Sequence, residues 1–251
     1  MDDLKDFTSP ATVVGRVFHH RTVTVSTNDD ARALAATGAP HGTLVVADAQ
    51  TGGRGRRGRV WYSPPGNNLY ASFVLRPEVP LAEAPSLSLV AGLAVAEAVA
   101  EHAPHAEVRV KWPNDVRVGG KKLAGVLLEA SLRGGELAWV VLGVGINVRG
   151  TRPPEGLEDI ATTVRCVHGE DVSRRAVLAS LCLRLEQRLL DFEHGGFAAL
   201  RDALTARCET LGTPVRIGTV EGLAMAIDLD GALRVRQHDG GWVSLRLGDV
   251  G

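Results

Sequence analysis

Residues 107–148 read EVRVKWPNDVRVGGKKLAGVLLEASLRGGELAWVVLGVGINV, and their spacing decides the fold class. Glu107 to Lys111 alternates apolar and polar residues, as a half-buried strand does. Val116 to Val118 begins the next strand, Gly119-Gly120 supplies a hairpin turn, and Leu123 to Glu129 returns. A second glycine pair, Gly134-Gly135, precedes Leu137 to Val148. These connections are too short for crossover helices, so the stretch predicts an antiparallel meander and an α+β architecture rather than a βαβ repeat.

Upstream, Leu69 to Leu75 and Thr43 to Ala47 read as strands, and β-branched residues between Thr12 and Val25 suggest one or two more. Ser26-Thr27-Asn28 offers N-cap chemistry to an alanine-rich helix that runs through Ala36 and stops at Gly38. Leu81 to His102 carries helix-spaced apolar residues and predicts a long core helix. Downstream, Ser173 caps a helix over Arg174 to Phe192, and Phe197 to Cys208 makes another. Beyond Leu211-Gly212 the pattern changes to short strands with turns at Glu221-Gly222, Asp230-Gly231 and Asp239-Gly240-Gly241. The chain therefore divides into residues 1–210, mainly an antiparallel sheet flanked by helices, and a small β module over residues 211–251.

With 45% hydrophobic and 23% charged residues the chain lies far from the disordered regime. Its 28 basic and 29 acidic residues nearly cancel, so general nucleic-acid binding is not suggested and any strong field must be local. Cys166, Cys182 and Cys208 are odd in number and form no C-x-x-C pair, which argues against disulfides and a zinc cluster and predicts buried thiols in a reducing cytoplasm. The start, MDDLKDFTSP, lacks an apolar signal core, and apolar runs are interrupted before about 18 residues, so neither export nor a membrane is expected.

The local field sits at Gly53-Arg54-Gly55-Arg56-Arg57-Gly58-Arg59, four guanidinium groups with no carboxylate between Asp48 and Glu78. Alternate glycines let backbone fold closely around a ligand while arginines donate to phosphate or carboxylate. The segment suits an anionic ligand, in which case the free loop is mobile; a solvated basic loop and an arginine-glycine RNA contact are the alternatives. Lys111-Trp112-Pro113-Asn114-Asp115 ends a strand at its proline, leaving Lys111 at a strand end and giving Asn114 and Asp115 as oxygen donors for magnesium, although an Asx turn explains them equally well. Gly143-Val144-Gly145-Ile146-Asn147 lacks the third glycine of a dinucleotide fingerprint; its glycines suit close approach of a ligand to backbone. His19, His20 and His41 lack partners at metal-ligand spacing, and neither a G-x-S-x-G elbow nor a Walker-type loop occurs.

Taken in order, S-T-N at 26–28, Q-T-G-G-R-G-R-R-G-R at 50–59, W-Y-S-P-P-G-N-N-L at 61–69, K-W-P-N-D at 111–115, K-K-L-A-G at 121–125 and G-V-G-I-N at 143–147 resemble the biotin protein ligases. Lipoate protein ligases share that fold family, but the arginine-glycine cassette is similar to the biotin type. The resemblance implies a class II synthetase-like biotin/lipoate ligase fold with a small C-terminal β-barrel. It also implies ATP-dependent formation of biotinyl-5′-AMP, with magnesium, and transfer to a lysine of the biotin carboxyl carrier domain of a carboxylase.

Carried over by position, the resemblance assigns Ser26, Thr27, Asn28, Gln50, Gly53, Arg54, Arg56, Lys122 and Gly125 to biotin. It assigns Arg56, Arg57, Arg59, Trp61, Asn68, Lys111, Asn114 and Asn147 to ATP, Lys122, Lys111 and Arg56 to the chemistry, and Asn114 with Asp115 to magnesium. Val60 stands where many relatives have a basic residue. Some relatives carry an N-terminal DNA-binding domain, but Ser26 comes too early to leave room for one, so sequence-specific DNA binding is not expected. Homodimerisation is left open.

Overall fold

The computed structural model describes residues 4–150, 156–246, 248 and 250. The meander is present as β4 (Val108–Lys111), β5 (Asp115–Val118), β6 (Lys121–Arg133) and β7 (Glu136–Ile146). With β1 (Phe18–Thr24), β2 (Thr43–Gln50) and β3 (Leu69–Leu75) they build a seven-stranded sheet ordered β1-β2-β3-β7-β6-β5-β4. Its pairings are antiparallel except at the β1 edge, which runs parallel to β2 across the crossover helix α1 (Thr27–Ala36). The expected strands between Thr12 and Val25 thus reduce to one, because the preceding residues are held as a loop by buried Leu4, Phe7, Ala11 and Val14.

The two faces of this sheet differ in kind. Leu69, Ala71, Phe73 and Leu75 of β3, with Val140, Leu142, Val144 and Ile146 of β7, pack into the main core. That core is closed by α2 (Leu87–His102) and α4 (Arg174–Gly195). The intervening residues point to the α1 side, where a second small cluster consists of Ala31, Ala35, Val45, Val74 and Val141. Register on this side aligns Tyr70, Gly145 and Gly125 in one row and Ser72, Gly143 and Leu127 in the next. These rows are too poor in apolar side chains to bind a helix along their whole length, so α1 covers only part of the face.

Helix α2 is buried on nearly every side because it lies between the sheet and α4, which is why it reads as almost wholly apolar. The expected single helix from Leu81 is a 3-10 turn over Leu81–Ser86 followed by α2; Pro85 separates the two geometries. Although Leu81–His102 is long and apolar enough to span a membrane, it is mostly enclosed by the protein. Phe197 to Cys208 likewise divides into a 3-10 turn and α5 (Arg201–Arg207), while α3 (Val164–His168) is a single short piece. Ser173 caps α4 as expected, accepting from the Ala176 N–H at 3.4 Å. Cys182 and Cys208 are buried, but Cys166 is exposed, contrary to expectation, because α3 lies on the surface.

The last four strands, β8 (Pro214–Ile217), β9 (Val220–Ile227), β10 (Leu233–Gln237) and β11 (Trp242–Leu245), form an open antiparallel sheet rather than the closed barrel the resemblance implied. β8 and β11 pair only with their inner neighbours, so the edges remain apart. The first turn falls at Gly218-Thr219 instead of Glu221-Gly222. Gly222 lies within β9, where a side chain would meet the Arg236 carbonyl. Val215, Ile217, Ala224, Ile227, Leu233 and Val235 join the main hydrophobic core, which fuses the small sheet to the large one.

A buried ion pair links this scaffold to the site. Arg174, 1% exposed at the start of α4, donates to Asp48 Oδ1 at 3.0 Å and to the Asn68 carbonyl at 3.4 Å, while His20 contacts Asp48 Oδ2 at 2.9 Å. Replacing Arg174 by Leu leaves the Asp48 carboxylate without its main counter-charge. We expect a loss of about 3 kcal/mol in urea unfolding at unchanged m-value, and a smaller loss when Asp48→Asn accompanies it. A loss below about 1 kcal/mol from the single change would show that the pair is not a buried-charge contact.

Candidate active site

The uncovered part of the α1 face is a cleft in two compartments. The inner one, about 50 Å³, is lined by Ser26, Thr27, Asn28, Gln50, Arg54 and the glycines of β6 and β7, among others. The outer one, about 490 Å³, is lined by Arg59, Lys111, Asn68, Asn147 and the segment 160–163, among others. Gly55, Arg56, Trp61, Asn114 and Lys122 line both. Two cationic side chains therefore stand where the compartments meet.

At the inner end Ser26 occupies the N-cap position of α1 but makes no side-chain capping bond, so its hydroxyl is not used by the helix. Gln50, at the end of β2, accepts from the Thr27 N–H at 2.9 Å and donates to Ser63 Oγ at 2.9 Å. Ser72 Oγ lies 2.8 Å from Thr27 Oγ1 and 2.6 Å from Asn28 Oδ1. Burial pushes the Tyr70 phenol well above its ordinary pKa, so it stays protonated and donates to the Pro64 carbonyl at 2.9 Å. This end offers fixed polar groups suited to a small neutral heteroatom-rich ring.

The middle is governed by Trp61. Its indole crosses the glycines of both strands: a side chain at Gly145 would overlap the ring, and one at Gly125 would meet it at 3.1 Å. Lys122 Nζ lies 5.4 Å from the ring centroid and donates to Asp115 Oδ1 at 2.7 Å. Trp61 Nε1 is buried without a hydrogen-bond partner among the described residues, a cost that a cleft built for an occupant can carry.

Arg56 donates to Asn114 Oδ1 at 3.0 Å, while Asn114 Nδ2 donates to the Val126 carbonyl at 3.0 Å. Asn147 Nδ2 bonds the Thr162 carbonyl at 3.1 Å, and Asn68 Oδ1 accepts from the Val148 N–H at 3.1 Å. Lys122 also exchanges backbone hydrogen bonds with Ile160 and Thr162, which seals the outer compartment's far wall.

Of the residues expected at the site, Gly53 and Arg57 line neither compartment. Gly53 serves the loop's own packing, since a side chain there would lie 2.5 Å from the Trp61 carbonyl oxygen. Arg57 is in the left-handed region (φ 56°) at the loop tip. The loop does find counter-charge: Arg54 meets Asp29 of α1 and Glu129 of β6, carboxylates distant in sequence. The Asp29 hydrogen bond, outweighing partial burial, raises the Arg54 pKa above its ordinary value. Asn114 and Asp115 do not make a self-sufficient metal site. Their named oxygens already face Arg56 and Lys122, and no cluster of three or more His, Cys, Asp or Glu side chains exists among the described residues.

Tyr70, Ser72, Asp29, Glu129 and segment 160–163 were not singled out from the sequence. The first two were detectable as polar residues two apart in an otherwise apolar strand. The others depend on tertiary placement.

Residues 15–147 match the model of the biotin/lipoate A/B protein ligase family. The chain belongs to this family. It is 39% identical over 221 residues to the biotin–[acetyl-CoA-carboxylase] ligase of Paracoccus denitrificans, covering 85% of this chain and 91% of that one. To the bifunctional ligase/repressor BirA of Bacillus subtilis it is 38% identical, covering 91% of this chain and 72% of that one. The biotin protein ligase of Aquifex aeolicus, solved in complex with biotin and ATP, superimposes with a TM-score of 0.81 at 32% identity, covering 94% of this chain and 98% of that one.

Gly145→Ala is expected to expel the Trp61 indole without unfolding the sheet. The Trp61 contribution to fluorescence, taken as the difference from a Trp61→Phe reference, should shift to the red and become accessible to acrylamide while far-ultraviolet circular dichroism is retained. An unshifted spectrum would refute the overlap.

Proposed function

We infer that the chain is a biotin protein ligase that joins biotin to ATP as biotinyl-5′-AMP and passes the biotinyl group to a lysine of a carboxylase carrier domain. One observation carries this reading: Arg56 and Lys122 occupy the junction between an inner compartment with neutral polar groups and an outer one large enough for a nucleotide. An acid held with its ring inward brings its carboxylate to the same two cations that would receive the α-phosphate from the other side.

Two anions must meet for this reaction, so charge neutralisation and alignment are the principal demands. Ser26, Thr27 and Gln50 hold the ureido ring, and the bare backbone at Gly125 and Gly145 admits the side chain once Trp61 moves aside. The carboxylate oxygen attacks the α-phosphorus, the bond to the bridging oxygen of pyrophosphate breaks, and pyrophosphate leaves with its electron pair. Lys122 and Arg56 stabilise the crowded negative charge, while Arg59, Lys111, Asn68 and Asn147 line the nucleotide side. In the second step the neutral carrier amine attacks the acyl carbon, AMP departs, and the amine proton is released. Lys111, at the open mouth, is placed to assist that transfer. Magnesium is best read as arriving on the nucleotide phosphates, because Asn114 and Asp115 are already committed to cations.

The acyl acceptor is proposed to be the biotin carboxyl carrier domain of an acetyl-CoA carboxylase, on the strength of the name borne by the Paracoccus relative. Free thiols at Cys166, Cys182 and Cys208 suit a reducing compartment such as the cytoplasm. Incubation with ATP, magnesium and either biotin or lipoate, followed by pyrophosphate detection, tests the assignment. Release with biotin supports it, and release with lipoate alone overturns it. Lys122→Ala should retain the fold but lose about 2–4 kcal/mol of transition-state stabilisation, read as kcat/KM for adenylation. Near-normal turnover would remove Lys122 from the mechanism.

A further inference from the structure

The cleft face of the meander carries more cations than the proposed reaction uses. Register sets Arg109 opposite Arg117 and Arg117 opposite Lys122, so three cations stand in one row across β4, β5 and β6. The neighbouring row holds Lys111, Asp115 and Gly125. Lys122 and Gly125 are three residues apart yet share the face, since a side chain at Gly125 would meet Lys122 Cε at 3.1 Å. A bulge between the two rows, where Leu123 has no partner on β5, makes this possible and turns Lys122 toward the cleft.

The one carboxylate within these two rows, Asp115, accepts from Lys122 Nζ at 2.7 Å. Arg117 is two residues beyond Asp115 on the same strand face, about 6.6 Å along, a distance that an extended arginine side chain spans. Its guanidinium is held elsewhere. Nη1 donates to Glu209 Oε1 at 2.8 Å and Nη2 to the Gly120 carbonyl. Glu209 comes from the segment between α5 and β8, and its own N–H donates to the Val110 carbonyl at 3.0 Å. On either side of it Cys208 bridges to Val110 and Thr210 Oγ1 accepts from the Trp112 N–H, so the Glu209 backbone is fixed against β4.

We propose that Glu209 is a positioning residue for Lys122: by holding Arg117 it keeps a second cation off Asp115, and so leaves that carboxylate to fix Lys122 at the compartment junction. The effect on turnover rests on the biotin-ligase reading, whereas the effect on the surroundings of Lys122 does not. Without Glu209 the nearest carboxylate along the face of Arg117 is Asp115, and two cations standing directly opposite one another then compete for one anion. Removing Arg117 as well abolishes the competition. The two ends of the pair are therefore unequal: losing the carboxylate disturbs Lys122, and losing the guanidinium does not. An ion pair that served only as a tether would lose the same contact whichever end was cut. Both side chains are partly exposed, so the effect is smaller than that of deleting Lys122 itself.

The experiment compares wild type with Glu209→Gln, Arg117→Gln and the Arg117→Gln/Glu209→Gln double variant. In ligand-free protein, competitive labelling with acetic anhydride, read by tandem mass spectrometry as the ratio of Lys122 to the exposed Lys5, reports whether the Lys122 ammonium still has its carboxylate. The ratio should rise severalfold in Glu209→Gln, because an ammonium without its counter-charge gives up its proton more readily, and should stay at the wild-type value in the other two. In pyrophosphate-release assays with biotin, ATP and magnesium, kcat should fall roughly tenfold in Glu209→Gln and lie within about twofold of wild type in Arg117→Gln and in the double variant. Labelling and kcat both unchanged in Glu209→Gln overturn the proposal. So does a double variant as impaired as Glu209→Gln, or an Arg117→Gln loss equal to that of Glu209→Gln, since either makes the pair a structural tether. Should the wild type release no pyrophosphate with biotin, the functional reading fails, and the labelling ratios still decide whether Glu209 governs Lys122.

Discussion

Successive side chains of a strand point to opposite faces, and β3, β6 and β7 use that alternation to do two incompatible things at once. One face presents Phe73, Leu75, Leu142 and Val144 to α2 and α4 and holds the molecule together. The other presents Tyr70, Ser72, Gly125, Gly143 and Gly145, which leave a depression that no helix fills. A one-residue slip between β3 and β7 would exchange the two sets, exposing the core and filling the cleft. Stability and binding are therefore fixed by the same register, and neither can be altered along these strands without the other.

This arrangement explains which features were legible beforehand. The meander over residues 107–148 was readable because its alternation is regular and its turns carry paired glycines; β3 was found at its full extent, Leu69–Leu75. The parallel β1-β2 pairing and the open C-terminal sheet were not, because pairing direction and closure depend on contacts between segments far apart. The helix over Leu81–His102 was read as continuous since apolar spacing continues through Pro85, where the backbone geometry changes.

At the site, residues with a motif signal converge: Ser26, Gln50, Arg56, Lys111, Asn114 and Lys122 come from separate segments and meet around one cleft. Charge balance at the loop is set by the fold and not by sequence neighbours. With no acid nearby in sequence the arginine-glycine loop looked unbalanced, yet Asp29 and Glu129 reach it from α1 and β6. Counting charges along a chain estimates the field only where the partners are also neighbours along the chain.

Trp112 ties the cleft to the C-terminal sheet. It lies between Lys111 and Asn114, is 1% exposed, and donates its N–H to Thr210 Oγ1 at 2.9 Å and its indole N–H to the Gly231 carbonyl at 3.1 Å. The turn that presents Lys111 and Asn114 to the cleft is thus bolted to the C-terminal sheet. That sheet cannot be treated as an interchangeable cassette. Grafting one from another ligase would reseat the indole and with it two residues of the active site, so the small sheet and the K-W-P-N-D turn should be inherited, and engineered, as a single unit.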